Sequence, residues 1–229
     1  MDERDLAERL ITYDTSQREG IRAAAGFVKG WLESHGVPLD AEEHHGLPVL
    51  HAKVGGTAAS PTVILHGHID VVPGKPHQFE PRVEGERLLG RGAYDMKGGL
   101  AAIMCALRDL RDLEDAQVHF VCAPDEESED FDRHATDELV ANGLRGDFAI
   151  TGEPTNLNVG VQAKGVLMIR LEVEGRAAHG STPWLGENAV LRAKVRRLEE
   201  ELAALRAERD ATIARELLTM AHESAALAH

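Results

Sequence analysis

The sequence predicts an α/β fold: a mostly parallel central sheet with flanking helices, followed by a smaller α+β unit that ends in a long helix. Three observations predict it. Apolar stretches of strand length alternate with helix-periodic stretches as far as residue 151. The rhythm changes near residue 163, where "GVLMIRLEVEG" reads as a longer strand with both faces partly apolar. After Gly186 the chain has no Gly or Pro and keeps a helical pattern. Alternating strands and helices imply parallel pairing, because a parallel connection needs a crossover long enough to hold a helix.

Residues 3–11 and 20–35 read as amphipathic helices, the second with Ile21, Ala24, Ala25, Val28, Trp31 and Leu32 on one stripe. "LPVLHAKVGG" and "PTVILHGHID" read as strands. "LAAIMCALRDL" is a helix by the spacing of Leu100, Ile103, Met104, Leu107 and Leu110. "AQVHFVCAP" is a strand with a continuous apolar core, residues 132–143 a helix, and "GDFAIT" a short buried strand. A boundary near 163–165 divides the chain into a catalytic-type unit, 1–164, and a second unit, 165–229. In the latter, Leu191, Val195, Leu198, Leu202 and Leu205 keep heptad spacing until Arg209 and Thr212 break it. That is shorter than the ~3–4 heptads of a coiled coil. A charged helix laying one apolar stripe on a small sheet is expected instead.

The chain has 229 residues, enough for one large core or two modest domains. Its formal net charge of −14 argues against nucleic acid and anionic membrane as partners, which need positive fields, and suits divalent cations. Cys105 and Cys122 form no close-spaced pair, which fits a reducing compartment. "MDERDLAERL" is charged from its second residue, unlike a signal peptide, and no apolar run approaches the ~20 residues needed to cross a bilayer. A cytoplasmic protein is expected.

Open α/β sheets bind ligands beyond the carboxyl ends of their strands. Four polar clusters fall there: "HGHID", "GRGAYDMKGG", "APDEESED" and "TGEPT". Singly, each reads as a surface histidine, a turn or a solvated acidic loop. Together, His68, Asp95, Glu126, Glu127 and Glu153 point to a divalent cation, since imidazole and carboxylate suit zinc, and also cobalt or manganese. Asp95, among Gly90, Gly92, Gly98 and Gly99, is placed to bridge two cations. Asp70, two residues beyond His68 on the same face, is placed to orient the imidazole from behind. Glu126 and Glu127, neighbours leaving a strand, point in different directions, so one can ligate while the other works on water as a general base. His66 is given no role.

"HGHIDVVPG", "GRGAYDMKGG", "DEE", "GEPT" and "GRAAHGSTPWLGENAV" resemble, in order and spacing, the acetylornithine deacetylase / succinyl-diaminopimelate desuccinylase family of dimetal amidohydrolases, over roughly residues 5–192. The resemblance implies a zinc-exopeptidase-like catalytic domain, a lid or dimerisation domain, and a homodimer acting on N-acyl amino acids or small peptides. It implies one metal on His68, Asp95 and Glu153, and another on Asp95 and Glu127. Glu126 is then the general base and acid, and Asp70 the partner of His68. His179 reaches into the partner subunit's site to stabilise an oxyanion, and the peptide bond after Asp95 is cis. Members of the family are longer. The part with no counterpart here carries a second ligand histidine and substrate-carboxylate contacts. His222 and His229 stand in no such motif, so the second metal lacks an imidazole. Two further readings follow: a truncated, weak or inactive member that binds metal and self-associates, and a helix-mediated interaction protein.

Overall fold

The structure is a computed structural model. It describes residues 1–57, 59–128, 130–161, 172–203, 206 and 209. The chain divides into two compact units, Met1–Val161 and Gln162–His229.

In the first unit, α1 (Glu3–Ile11) begins at Asp2 with a reciprocal capping box to Asp5. α2 (Arg18–Ser34) buries the stripe Ile21, Ala24, Ala25, Val28, Trp31 and Leu32. β1 (Asp40–His44) and β2 (Leu47–Gly55) follow, then β3 (Thr62–His68) and a small hairpin of β4 (Arg82–Glu84) and β5 (Arg87–Leu89). α3 (Gly98–Asp109), β6 (Gln117–Ala123), α4 (Ala135–Ala141) and β7 (Phe148–Thr151) complete it. The sheet order is β1-β2-β6-β3-β7. β6–β3 and β3–β7 are parallel, whereas β1–β2 and β2–β6 are antiparallel. The α/β architecture is as expected, and its parallel part is the trio of strands whose ends carry the polar clusters. One core joins the helices to the sheet through Leu6, Leu10, Leu32, Leu50, Leu100, Met104, Leu107 and Phe120.

β1 was not expected, because "DAEEH" has no apolar alternation and only His44 is buried. It is a strand because a two-residue turn, His45–Gly46, folds it back on β2 with both residues at positive φ (50° and 72°). Arg18 and Arg22 of α2 donate to the carbonyls of His45 and Gly46, which pins that turn.

β7 differs from expectation in burial. Phe148 is 65% exposed and Ile150 47% exposed. A short apolar run shows a strand's existence, not its depth, and among the described residues β7 is an outer strand with β3 as its single neighbour. The two sheet edges are unlike. β1 carries Asp40, Glu42 and Glu43, charges that discourage edge pairing, whereas β7, with exposed Phe148 and Ile150, has an edge that no described strand covers. Ile150→Lys is expected to change stability by under ~0.5 kcal/mol, as exposed sites do, and to reduce self-association in sedimentation velocity. Unchanged association would mean that copies meet elsewhere.

In the second unit an isolated bridge joins Arg176 and Glu187, and residues 189–203 are helical. Leu191, Val195, Leu198 and Leu202 are exposed rather than laid on a sheet. Among the described residues this unit has no strand to receive them. Residues 162–171, where most of the expected long strand falls, lie outside the described residues, as do Leu205, Thr212, His222 and His229. Among the described residues no helix is long and apolar enough to cross a membrane.

Candidate metal centre

Strand register assembles the site. β3 pairs His68 with Ala123 of β6, so the loop bearing Glu126 and Glu127 starts beside His68. On its other side, β3 pairs His66 with Thr151 of β7, so Glu153 emerges two residues later on the opposite flank. Asp95 comes from a kinked segment, Ala93–Lys97, ahead of α3, and its bond to Met96 is cis.

Met96 ties these pieces together. Its side chain is fully buried, and its sulfur accepts the His68 amide at 3.3 Å. A Cβ on Gly67 would lie 3.0 Å from the Met96 methyl, and one on Gly152 2.8 Å. The absence of a side chain at both positions lets the ends of β3 and β7 approach the one methionine closely; a Cβ at either would displace its terminal methyl.

The imidazole of His68 is fully buried, with Nε2 3.1 Å from Asp95 Oδ1 and 3.8 Å from both Glu126 Oε2 and Glu153 Oε1. One ligand atom each from His68, Asp95 and Glu153 lie within 4.8 Å of one another. On the far side of the ring, Nδ1 lies 3.1 Å from the Asp70 carbonyl and 3.3 Å from its carboxylate. Asp70 Oδ1 accepts the Glu126 amide at 3.1 Å, and Oδ2 the Glu127 amide at 2.8 Å. One buried carboxylate thus orients both the histidine and the two glutamates. Glu127 borders, with Asp70, Thr15, Arg18 and Phe131, a cavity of about 450 Å³.

Charge is unbalanced here. Burial opposes a charge on His68, yet the Asp70 hydrogen bond and the charges of Asp70, Glu153 and Glu126 raise its pKa to about 9. Glu127 is raised by burial and by Asp95, and Glu153 by burial and by its carboxylate neighbours, with His68 opposing. The carboxylates outnumber the one imidazole that could balance them, and a divalent cation relieves that repulsion. One imidazole nitrogen and two carboxylates, the imidazole held from behind, fit a three-ligand zinc-type site.

Other residues sort out as follows. His66 bonds Thr136 Oγ1 at 3.0 Å, and burial lowers its pKa to about 4, so it is a neutral structural ring. His179 belongs to the second unit and is exposed. Its Nδ1 accepts the Ser181 amide at 3.2 Å, which places the proton of the neutral ring on Nε2. Sequence reasoning passed over Lys97, which is fully buried, donates to the Tyr13 carbonyl at 2.9 Å, and has its pKa lowered by burial to about 7. A lone lysine at the head of an apolar helix was the available signal. It also passed over Asp125 and His44, whose signal was hidden in an acidic run and in a histidine pair.

The family model described as Peptidase family M20/M25/M40 matches residues 64–226, most of the chain. The chain belongs to this family. A LysW-lysine/LysW-ornithine hydrolase of Sulfurisphaera tokodaii is 37% identical over 121 residues, 52% of this chain and 33% of that one. A succinyl-diaminopimelate desuccinylase of Erythrobacter litoralis is 35% identical over 148 residues, 58% of this chain and 38% of that one. Among solved structures, an M20 family metallo-carboxypeptidase of Sulfolobus solfataricus superposes with a TM-score of 0.55 at 27% identity, over 66% of this chain and 37% of that one. The chain spans about a third to two fifths of the length of these proteins. The motif resemblance drawn from the strand ends and the M20 membership agree.

Proposed function

We propose that this chain carries the metal-binding part of an M20 amidohydrolase that cleaves N-acyl amino acids or small peptides. The observation that carries the reading is the convergence of His68, Asp95 and Glu153 on one point, with Asp70 behind the imidazole. His68, Asp95 and Glu153 would hold one cation, and Asp95 with Glu127 a second, zinc, cobalt or manganese being the candidates. A cation bound there supplies Lewis acidity, acidifying water towards a pKa of ~7 and polarising the amide carbonyl.

The chain's own groups do the rest. Glu126, half exposed and facing the same space, takes the proton of the attacking water. It returns that proton to the leaving nitrogen as the C–N bond breaks, so an amide and water become a carboxylate and an amine. Asp70 keeps His68 and the two glutamates in register throughout. His179, with its ring proton on Nε2, is a donor suited to the oxyanion of a partner subunit's substrate. A cytoplasmic homodimer belongs to this reading.

The test is hydrolysis of N-acetyl and N-succinyl amino acids with added zinc or cobalt. Turnover that a chelator abolishes and metal restores is expected. A second reading, a weak or inactive chain that still binds a cation, is favoured by one observation: among the described residues no imidazole joins Asp95 and Glu127. Cation binding without hydrolysis would select it.

A further inference from the structure

Glu126 and Glu127 lie on the loop between β6 and α4, and that loop is gripped from two sides. Inside, Asp70 holds their amides. Outside, Asp125, 1% exposed, accepts the Ala135 amide at 3.2 and 3.0 Å and so ties the loop's two ends together. Against this closure lies His44, the last residue of β1, 6% exposed. Its Nε2 is 2.9 Å from the Arg133 carbonyl and 3.5 Å from Asp125 Oδ2, and its Nδ1 is 2.5 Å from Glu138 Oε2. Both ring nitrogens face oxygen acceptors. The next residue, His45, stacks on Phe131 with ring centroids 4.5 Å apart and planes 3° from parallel. The β1–β2 turn thus holds the loop at Asp125, Phe131 and Arg133, and α4 at Glu138.

We propose that His44 is a positioning residue which, through Asp125 and Arg133, fixes the direction in which Glu126 and Glu127 leave β6. A buried polar network holds its geometry only while every member is paired. Without the imidazole, the Arg133 carbonyl loses that donor and Asp125 loses one of its neighbours while keeping the Ala135 amide. The loop then samples other directions, while His68, Asp95 and Glu153, on other segments, stay in place. The consequence for a cation on Glu127 rests on the function proposed above; the geometric claim does not.

Amide hydrogen exchange on the metal-free full chain tests the geometry. In His44→Leu, the Glu126 and Glu127 amides are expected to exchange about tenfold faster, with Phe120 in β6 unchanged. Unchanged glutamate amides, or equal acceleration along β6, would overturn the proposal. Glu138→Gln alters the same network from a half-exposed position and is expected to give the same local pattern at about threefold. If His44→Leu does not fold, Glu138→Gln decides alone, and a flat result overturns the proposal. Cobalt titration tests the consequence. His44→Leu should weaken the Glu127-side cation about tenfold and leave the His68 site unchanged. Identical constants in both proteins would contradict the positioning role. A wild-type chain that takes no cobalt would sink the functional reading, and hydrogen exchange would still decide the positioning role.

Discussion

Glu126→Gln is expected to lower turnover by at least ~10²-fold, the usual contribution of a placed acid–base group, while the protein keeps its cations. The substitution conserves shape and leaves the Glu126 amide on Asp70, so the loop keeps its course. What it removes is a carboxylate half open to solvent, 3.8 Å from His68 Nε2. That oxygen is close enough to share the site, yet Glu126 stands outside the trio that meets within 4.8 Å. The measurement pairs kcat with metal stoichiometry, on the wild type and the variant under the same metal. If Glu126→Gln strips the metal instead, Glu126 is a ligand and the roles of the two glutamates are exchanged.

Metal titration is expected to show one tighter and one much weaker cation. His68, Asp95 and Glu153 offer three protein ligands, the number a catalytic zinc uses. Asp95 and Glu127 offer two carboxylates, which attract a cation with little selectivity. The two sites should also differ in their response to pH. His68 ligates only as a neutral ring, and its neighbours raise its pKa to about 9, so a cation there competes with a proton. Affinity at the tighter site should therefore fall as pH drops below about 9. The weaker site, without an imidazole, should hold steadier until its carboxylates protonate. Calorimetric titration at several pH values checks both statements. Two equally tight cations with brisk deacylation would mean that another group completes the second site.

The strand ends were legible because their chemistry conflicts with their position. An imidazole and carboxylates at the ends of apolar strands cost stability unless paired, so His68, Asp95 and Glu153 stand out, and the structure gathers them. Helices were legible where one stripe is apolar, as in α2 and α3. β1 was not, because its strand character comes from the partner and the turn rather than from its own residues. The exposure of β7 was not, because a strand's depth depends on what lies beside it. His44 and Asp125 escaped notice for a related reason. Their meaning is a contact between residues 81 positions apart, across which no local pattern runs.

Met96 has a consequence for how this site can change over generations. One side chain packs between the segments that bear His68, Asp95 and Glu153, and a Cβ at Gly67 or Gly152 would press on its terminal methyl. A replacement at any of the three is therefore felt first at the Met96 side chain, and through it by the other two segments. Drift is then eased by paired changes, a smaller residue at 96 admitting a Cβ at 67 or 152. Across a deep alignment of close relatives, these positions should vary together or hardly vary at all, and a library randomised at one of them alone should be far poorer in folded members than one randomised at all three.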